Sequence, residues 1–244
     1  MPGSNPLFGL NALGGAISIA TQDGSTNSGT SAEAYAGSFG RVGLRAETGG
    51  AGDNFGYFLS GSYLDEDGWR RHSPTEALRL FGKLSWQTRA TTLGLSTTLA
   101  DTDLIGNGAA PVELLAIDRK AIFTRPDRTQ NDLVLVNLVG EHVVSERWTL
   151  SGNVYARSSD IDTYNGDDSD FEECEEIPGF ICAEDDGEEA LVVDASGEPI
   201  PAMEALDGAT VNRTRTEQDT LGFGVQGAWT GDLGGRENIF LAGL

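Results

Sequence analysis

The 244-residue sequence contains no run of 18 apolar residues, so no helix in it can cross a bilayer. That absence does not exclude a membrane, because a spanning β-strand needs only about 9–11 residues of alternating polarity. Basic residues are scarce: 16 Lys and Arg face 38 Asp and Glu, for a formal net charge of −22. Nucleic acid is therefore not an expected partner, since binding it takes clustered Lys and Arg. The two histidines, His72 and His142, stand far apart, and neither has a Ser or Cys partner at a recognisable spacing. No enzyme activity, cofactor or metal centre is expected. Met1-Pro2-Gly3-Ser4-Asn5 offers neither the basic start nor the apolar stretch of a secretory leader, so an exported chain is expected to be a piece of a longer one.

Glycine, by contrast, is abundant, with 33 residues, and the acids are crowded. Between Arg157 and Arg213 there is no Lys or Arg, while 18 acids fall between Asp160 and Asp207. Both cysteines, Cys174 and Cys182, lie inside this acidic stretch. Two cysteines in one exposed loop suggest a disulfide formed in an oxidising compartment; a metal site would need more ligands. Pro178-Gly179 between them suits a type II turn that would bring the sulfurs together. The Asp and Glu run also offers hard oxygen ligands for Ca²⁺, but it lacks EF-hand spacing, and a solvated acidic loop is the favoured reading.

Most of the remaining chain reads as strands of about ten residues with period-two polarity. Nine are expected, near 32–39, 42–48, 55–64, 78–87, 92–99, 133–143, 148–158, 220–229 and 238–244. In them Leu80, Leu84, Leu95, Leu150, Val154 and Phe223 share an apolar face, while Arg45, Glu47, Arg79, Lys83, Asn137, Glu141, Asn153 and Arg157 share the other. Mid-strand charge is costly in a packed core and comfortable against a wet lumen. Connections at one end are short, and at the other they lengthen along the chain, near 65–77, 105–132 and 159–219. Outer-membrane barrels sort their loops this way, and a soluble sandwich has no reason to. Phe55, Trp86, Trp148 and Trp229 all fall at the short-turn end, as an interfacial aromatic girdle would; ordinary core aromatics are the alternative.

The segment Phe8-Gly9-Leu10-Asn11-Ala12-Leu13-Gly14-Gly15-Ala16-Ile17-Ser18-Ile19 resembles the last part of the plug domain of TonB-dependent outer-membrane receptors. Phe39-Gly40 and Asp67-Gly68-Trp69-Arg70 are similar to that family's early barrel. The glycines suit tight turns, and Ile17 and Ile19 would pack in the plug sheet. A phosphate-cradling loop is the competing reading of Gly14-Gly15, but the Walker lysine and strand–helix context are missing.

The resemblance implies an all-β chain: a partial antiparallel up-and-down transmembrane barrel of about nine strands, behind a plug remnant. Residues 1–24 would end the plug, 25–31 would link, and 32–244 would begin the barrel. It implies a receptor in the bacterial outer membrane, with outer-membrane lipid, the TonB complex and a small chelate as partners. The substrate class it implies is a ferric siderophore-type chelate. Trp69, Arg70, Arg71 and His72 would meet an anionic chelate or, equally, a lipopolysaccharide. A passive porin or a surface-binding β protein is the alternative, and the plug-end motif discriminates, because a porin has no plug before its first strand.

Overall fold

The computed structural model describes residues 20–106, 108–169, 171–185, 188–205 and 209–244. The plug-end residues Phe8, Gly9, Asn11, Ala12, Gly14, Gly15, Ile17 and Ile19 lie outside them. Among the described residues the chain is strand-rich. The elements are β1 (Gly29–Ala36), β2 (Val42–Ala51), β3 (Phe55–Glu66), β4 (Thr75–Gln87), β5 (Thr91–Ile105), α1 (Val112–Ile117), β6 (Asp127–Ser145) and β7 (Trp148–Asp168). They continue with β8 (Glu172–Glu173), β9 (Ile181–Asp185), β10 (Glu188–Leu191), α2 (Ala202–Ala205), β11 (Ala209–Leu233) and β12 (Arg236–Gly243).

Nine strands form one antiparallel sheet in the order β1-β2-β3-β4-β5-β6-β7-β11-β12. Each strand pairs with the next long strand in sequence, as hairpin connections dictate. The short strands β8, β9 and β10 make a separate sheet within the β7–β11 connection. The chain is thus all-β, and its main sheet is a single layer. A face-packed sandwich would bury one side of every strand. Among the described residues the buried apolar ones are Phe58, Ala77, Cys174, Ile181, Cys182 and Ala202, and most large apolar side chains are exposed.

Cross-strand partners share a face, so the register fixes which side chains lie together. One row runs Tyr57, Leu84, Leu95, Leu138, Val154 and Phe223. These are the positions the alternation assigns to the apolar face, and all of them are exposed, Leu84 by 59% and Phe223 by 67%. The opposite face carries Arg45, Arg79, Lys83, Asn137, Glu141, Asn153 and Arg157. At one end the strands are joined through 52–54, 88–90, 146–147 and 234–235. At the other they are joined through 37–41, 67–74, 106–126 and 169–208.

The ladders run further than the hydropathy pattern indicates. The strand expected to end at 158 continues to Asp168, and the one expected to begin at 220 begins at Ala209. Their pairing is continuous from Ala209↔Asp168 down to Trp229↔Trp148. Past the apolar band both faces carry polar side chains, so period-two polarity disappears. The backbone hydrogen bonds and the β-forming Thr163, Tyr164, Thr210, Val211, Thr214 and Thr216 remain.

Above the band the apolar face turns acidic. Asp101, Asp132, Asp160 and Glu217 are successive partners in one row. Arg215 meets Glu217 at 2.6 Å. Among the described residues, no ion pair holds the other three. Like charges directly opposite are destabilising. Asp132→Asn is expected to raise stability by about 0.5 kcal/mol, most at low salt. A urea midpoint at two ionic strengths checks this.

Candidate functional site

The long connections gather a cationic cluster at one rim of the sheet. In the β3–β4 connection, Gly68 adopts φ 79 and His72 adopts φ 53, so the chain doubles back tightly. Ser73 closes that turn, its hydroxyl donating to the Arg70 carbonyl at 3.0 Å. Trp69, half exposed, lies under the Arg70 guanidinium, 5.4 Å from ring to charge.

The β5–β6 connection docks against this turn. The Arg71 N–H donates to the Lys120 carbonyl at 3.1 Å. Arg71 Nη2 pairs with Asp118 Oδ2 at 2.7 Å. Arg70 Nη1 reaches the Gly108 carbonyl at 3.4 Å. Arg125 Nη1 lies 2.8 Å from His72 Nε2, an arrangement that needs the unprotonated ring nitrogen as acceptor. Lys120 sits 5.8 Å from the Phe39 ring in the β1–β2 turn. Three connections therefore contribute to one surface.

Sequence reasoning singled out Trp69, Arg70, Arg71 and His72, and the structure brings them together. It missed Lys120 and Arg125, which join them from some fifty residues downstream. The available signal was the basic run Arg119-Lys120, Arg125 and Arg128 in an otherwise acidic chain. The Nε of Arg70 is buried with no partner. A buried guanidinium N–H without an acceptor is an unmet demand for a hydrogen bond. The cluster offers several cationic donors with one carboxylate, Asp118, among them. Its chemistry suits an anion of more than one charged group.

Just below, Arg128 holds Asp103 on the acidic outer face by a bidentate ion pair. That hydrogen bonding keeps the Asp103 carboxyl below its ordinary 3.8, against a smaller upward push from burial. A depressed carboxyl contributes stability above its unfolded pKa and loses it as pH falls through the folded one. The contribution should therefore vanish only below pH 3.8. Carbon-13 titration of Asp103 is expected to show the lowered midpoint, and Arg128→Gln should return it to the ordinary value.

Cys174 and Cys182 are disulfide-bonded with Cα atoms 5.0 Å apart. Between them Gly179 adopts φ 94, as the third residue of a type II turn must. The Glu173 carboxylate accepts the Gly179 N–H at 2.8 Å. Ile181, 1% exposed, packs with the cysteines and Ala202 as the small core of this acidic knob. Among the described residues, no three acids, histidines or cysteines converge as a metal-binding group.

The aromatics fall in two sets. Phe55 pairs with Trp86, and Trp148 with Trp229, whose ring lies 5.5 Å from Phe240. Followed across the sheet, the Trp86 row meets β7 at Gly152, four residues from Trp148. With strands tilted about 40°, three spacings of about 4.8 Å displace the level by about 9 Å, and four residues of about 3.3 Å recover about 10 Å. At that tilt Trp86 and Trp148 would stand at one level, as an interfacial girdle requires.

The apolar band spans about nine residues per strand, from Leu78 to Trp86 on β4 and from Trp148 to Ala156 on β7. At that tilt it stands about 23 Å tall, close to the apolar height of an outer-membrane barrel. Loop sorting, staggered register and an exposed apolar band together define the class: one arc of a transmembrane-type β-barrel.

Comparison with solved structures narrows the class. The open form of the ferric-catecholate import receptor Fiu from E. coli K12 matches with a TM-score of 0.68 at 14% identity, over 96% of this chain and 36% of that one. The ferric citrate transporter FecA matches with 0.62 at 13% identity, over 88% and 27%. The siderophore receptor PiuA from Acinetobacter baumannii matches with 0.63 at 10% identity, over 95% and 32%. The chain thus spans about a third of the length of these receptors. No protein-family model and no curated sequence matches it. The resemblance to TonB-dependent receptors drawn from the sequence is carried by fold: the chain folds like part of their barrel. These neighbours are receptors and transporters, not enzymes.

Proposed function

We propose that the chain is the leading part of the barrel of a TonB-dependent outer-membrane receptor that imports an iron chelate. The observation that carries this reading is the nine-stranded sheet itself, which follows receptors of ferric catecholate and ferric citrate over most of its length. The outer apolar band suits lipid, and the long connections would face the outside of the cell. Residues before position 20 would complete the plug, and TonB would act on that plug from the periplasm.

The cationic rim formed by Arg70, Arg71, Lys120 and Arg125 is the surface that would receive an anionic ferric chelate. Arg70 and Arg71 would offer guanidinium N–H groups to carboxylate or catecholate oxygens. The acidic knob beyond it would repel free anions approaching from that side and leave the rim as the favourable approach.

The test is uptake of radioactive iron by cells carrying the full-length protein, with ferric citrate and ferric 2,3-dihydroxybenzoate as probes. Uptake of one of them that saturates and stops when the proton gradient is collapsed supports an energised receptor. Non-saturating uptake indifferent to the gradient would favour a passive porin. Arg70→Ala is expected to weaken binding of the transported probe by about tenfold, the scale of one charge-assisted hydrogen bond.

A further inference from the structure

The chain enters the sheet through a turn at 20–28 seated on the polar face at the short-turn end. Asp23 heads it. Its carboxylate accepts the Ser25 N–H at 2.9 Å, and its carbonyl accepts the N–H groups of Thr26 and Asn27 at 3.2 and 2.9 Å. Lys83, projecting from β4, holds this turn from below. Its Nζ lies 3.5 Å from the Asp23 carboxylate and donates to the Thr21 hydroxyl at 3.3 Å. The two charged side chains are only 20% and 21% exposed.

The turn approaches the wall as closely as backbone can. A Cβ on Gly24 would stand 2.2 Å from the Tyr57 carbonyl oxygen and 2.3 Å from that of Gly50. A Cβ on Gly49 would stand 2.1 Å from the Asn27 carbonyl oxygen. Beside this contact, Phe58 on the same polar face is 3% exposed. The turn is therefore held by strands β2, β3 and β4, before the chain reaches its own strand β1.

We propose that this turn is a fixed anchor, with Lys83 as its positioning residue. Residues 21–28 stay on the wall and keep tension on the chain from peeling β1 off β2. A pull along the chain meets the Lys83–Asp23 pair and the glycine-backed contact first. Only after those yield does it meet the β1–β2 ladder. What does the pulling rests on the receptor reading above, but the anchor itself does not.

The experiment is amide hydrogen exchange on the full-length protein in membrane vesicles, across a urea series below the unfolding of the sheet. In the wild type, the amides of residues 25–27 should stay protected to the same urea concentration as the β1–β2 ladder. Lys83→Met should speed their exchange by about tenfold, while Lys83→Arg should keep them near the wild-type rate. Gly24→Ala should release them as Lys83→Met does. Wild-type exchange of residues 25–27 well before the β1–β2 ladder would overturn the anchor. So would equal rates in wild type and Lys83→Met. Iron uptake is read separately, so a receptor that fails to transport can still show the anchor, and a working one can lack it.

Discussion

Leu84→Arg in the full-length protein should cost about 2–4 kcal/mol of folding stability, the penalty for arginine near the midplane of a lipid-facing strand. Leu84 sits in an unbroken apolar row with Tyr57, Leu95, Leu138, Val154 and Phe223, and 59% of its surface is exposed. In a soluble protein a side chain that open would tolerate arginine almost without cost. Ser151→Arg is the control. Ser151 lies on the polar face between Glu141 and Gln226, so a guanidinium there gains a carboxylate partner. Its cost should stay below about 1 kcal/mol. Folding into lipid vesicles against urea measures both. Equal penalties would mean that the two faces see the same medium.

The second large effect concerns the acidic knob. Reduction of the Cys174–Cys182 bond, or Cys174→Ser with Cys182→Ser, should destabilise residues 172–201 by about 2–3 kcal/mol in the chain-entropy view. The bond closes a ring of sequence separation 8, and the knob has little else. Its core is Ile181, the two sulfurs and Ala202, and its perimeter is carboxylate. Without the bond, mutual repulsion should open it. Limited proteolysis should then cut within 172–201 while the nine-stranded sheet keeps its unfolding midpoint. A knob that resists protease equally when reduced would show that the bond is dispensable.

These two regions also mark how far the sequence could be read. The strands from Phe55 to Leu99 were legible because each places apolar residues at every second position against small or polar ones, which no helix tolerates. The loop sorting was legible because turns such as Ser145-Glu146-Arg147 are too short for anything but a hairpin. The upper reaches of β7 and β11 were not. Asp160, Asp162, Arg213 and Arg215 lie on one face and Ser159, Thr163, Thr214 and Thr216 on the other, so both sides are polar and no periodicity remained to see. The disulfide partners could be read from their isolation in one loop, but the small sheet around them could not. Glu172, Glu173 and Glu188 are poor strand formers whose pairing is imposed by neighbours. The rim cluster was half legible. Trp69 to His72 stand together in sequence, whereas Lys120 and Arg125 meet them only through loop docking. Nothing in the Gly/Ser/Asn composition of 22–31 hinted that its turn would be pressed against the wall.

The most direct test of the account is a nitroxide scan of β5 from Leu93 to Ala100, one cysteine at a time, in the full-length protein in bilayers, with the native disulfide left oxidised. Oxygen, which partitions into lipid, and a water-soluble nickel chelate serve as paramagnetic relaxers. The account predicts strict alternation. Labels at 93, 95, 97 and 99 should be relaxed by oxygen and shielded from nickel, while those at 94, 96, 98 and 100 should show the reverse. Oxygen access should peak near 97, the partner of Gly82 at the middle of the apolar band. Labels on both faces relaxed alike by the nickel chelate, with no peak in oxygen access along the strand, would contradict a membrane-spanning barrel.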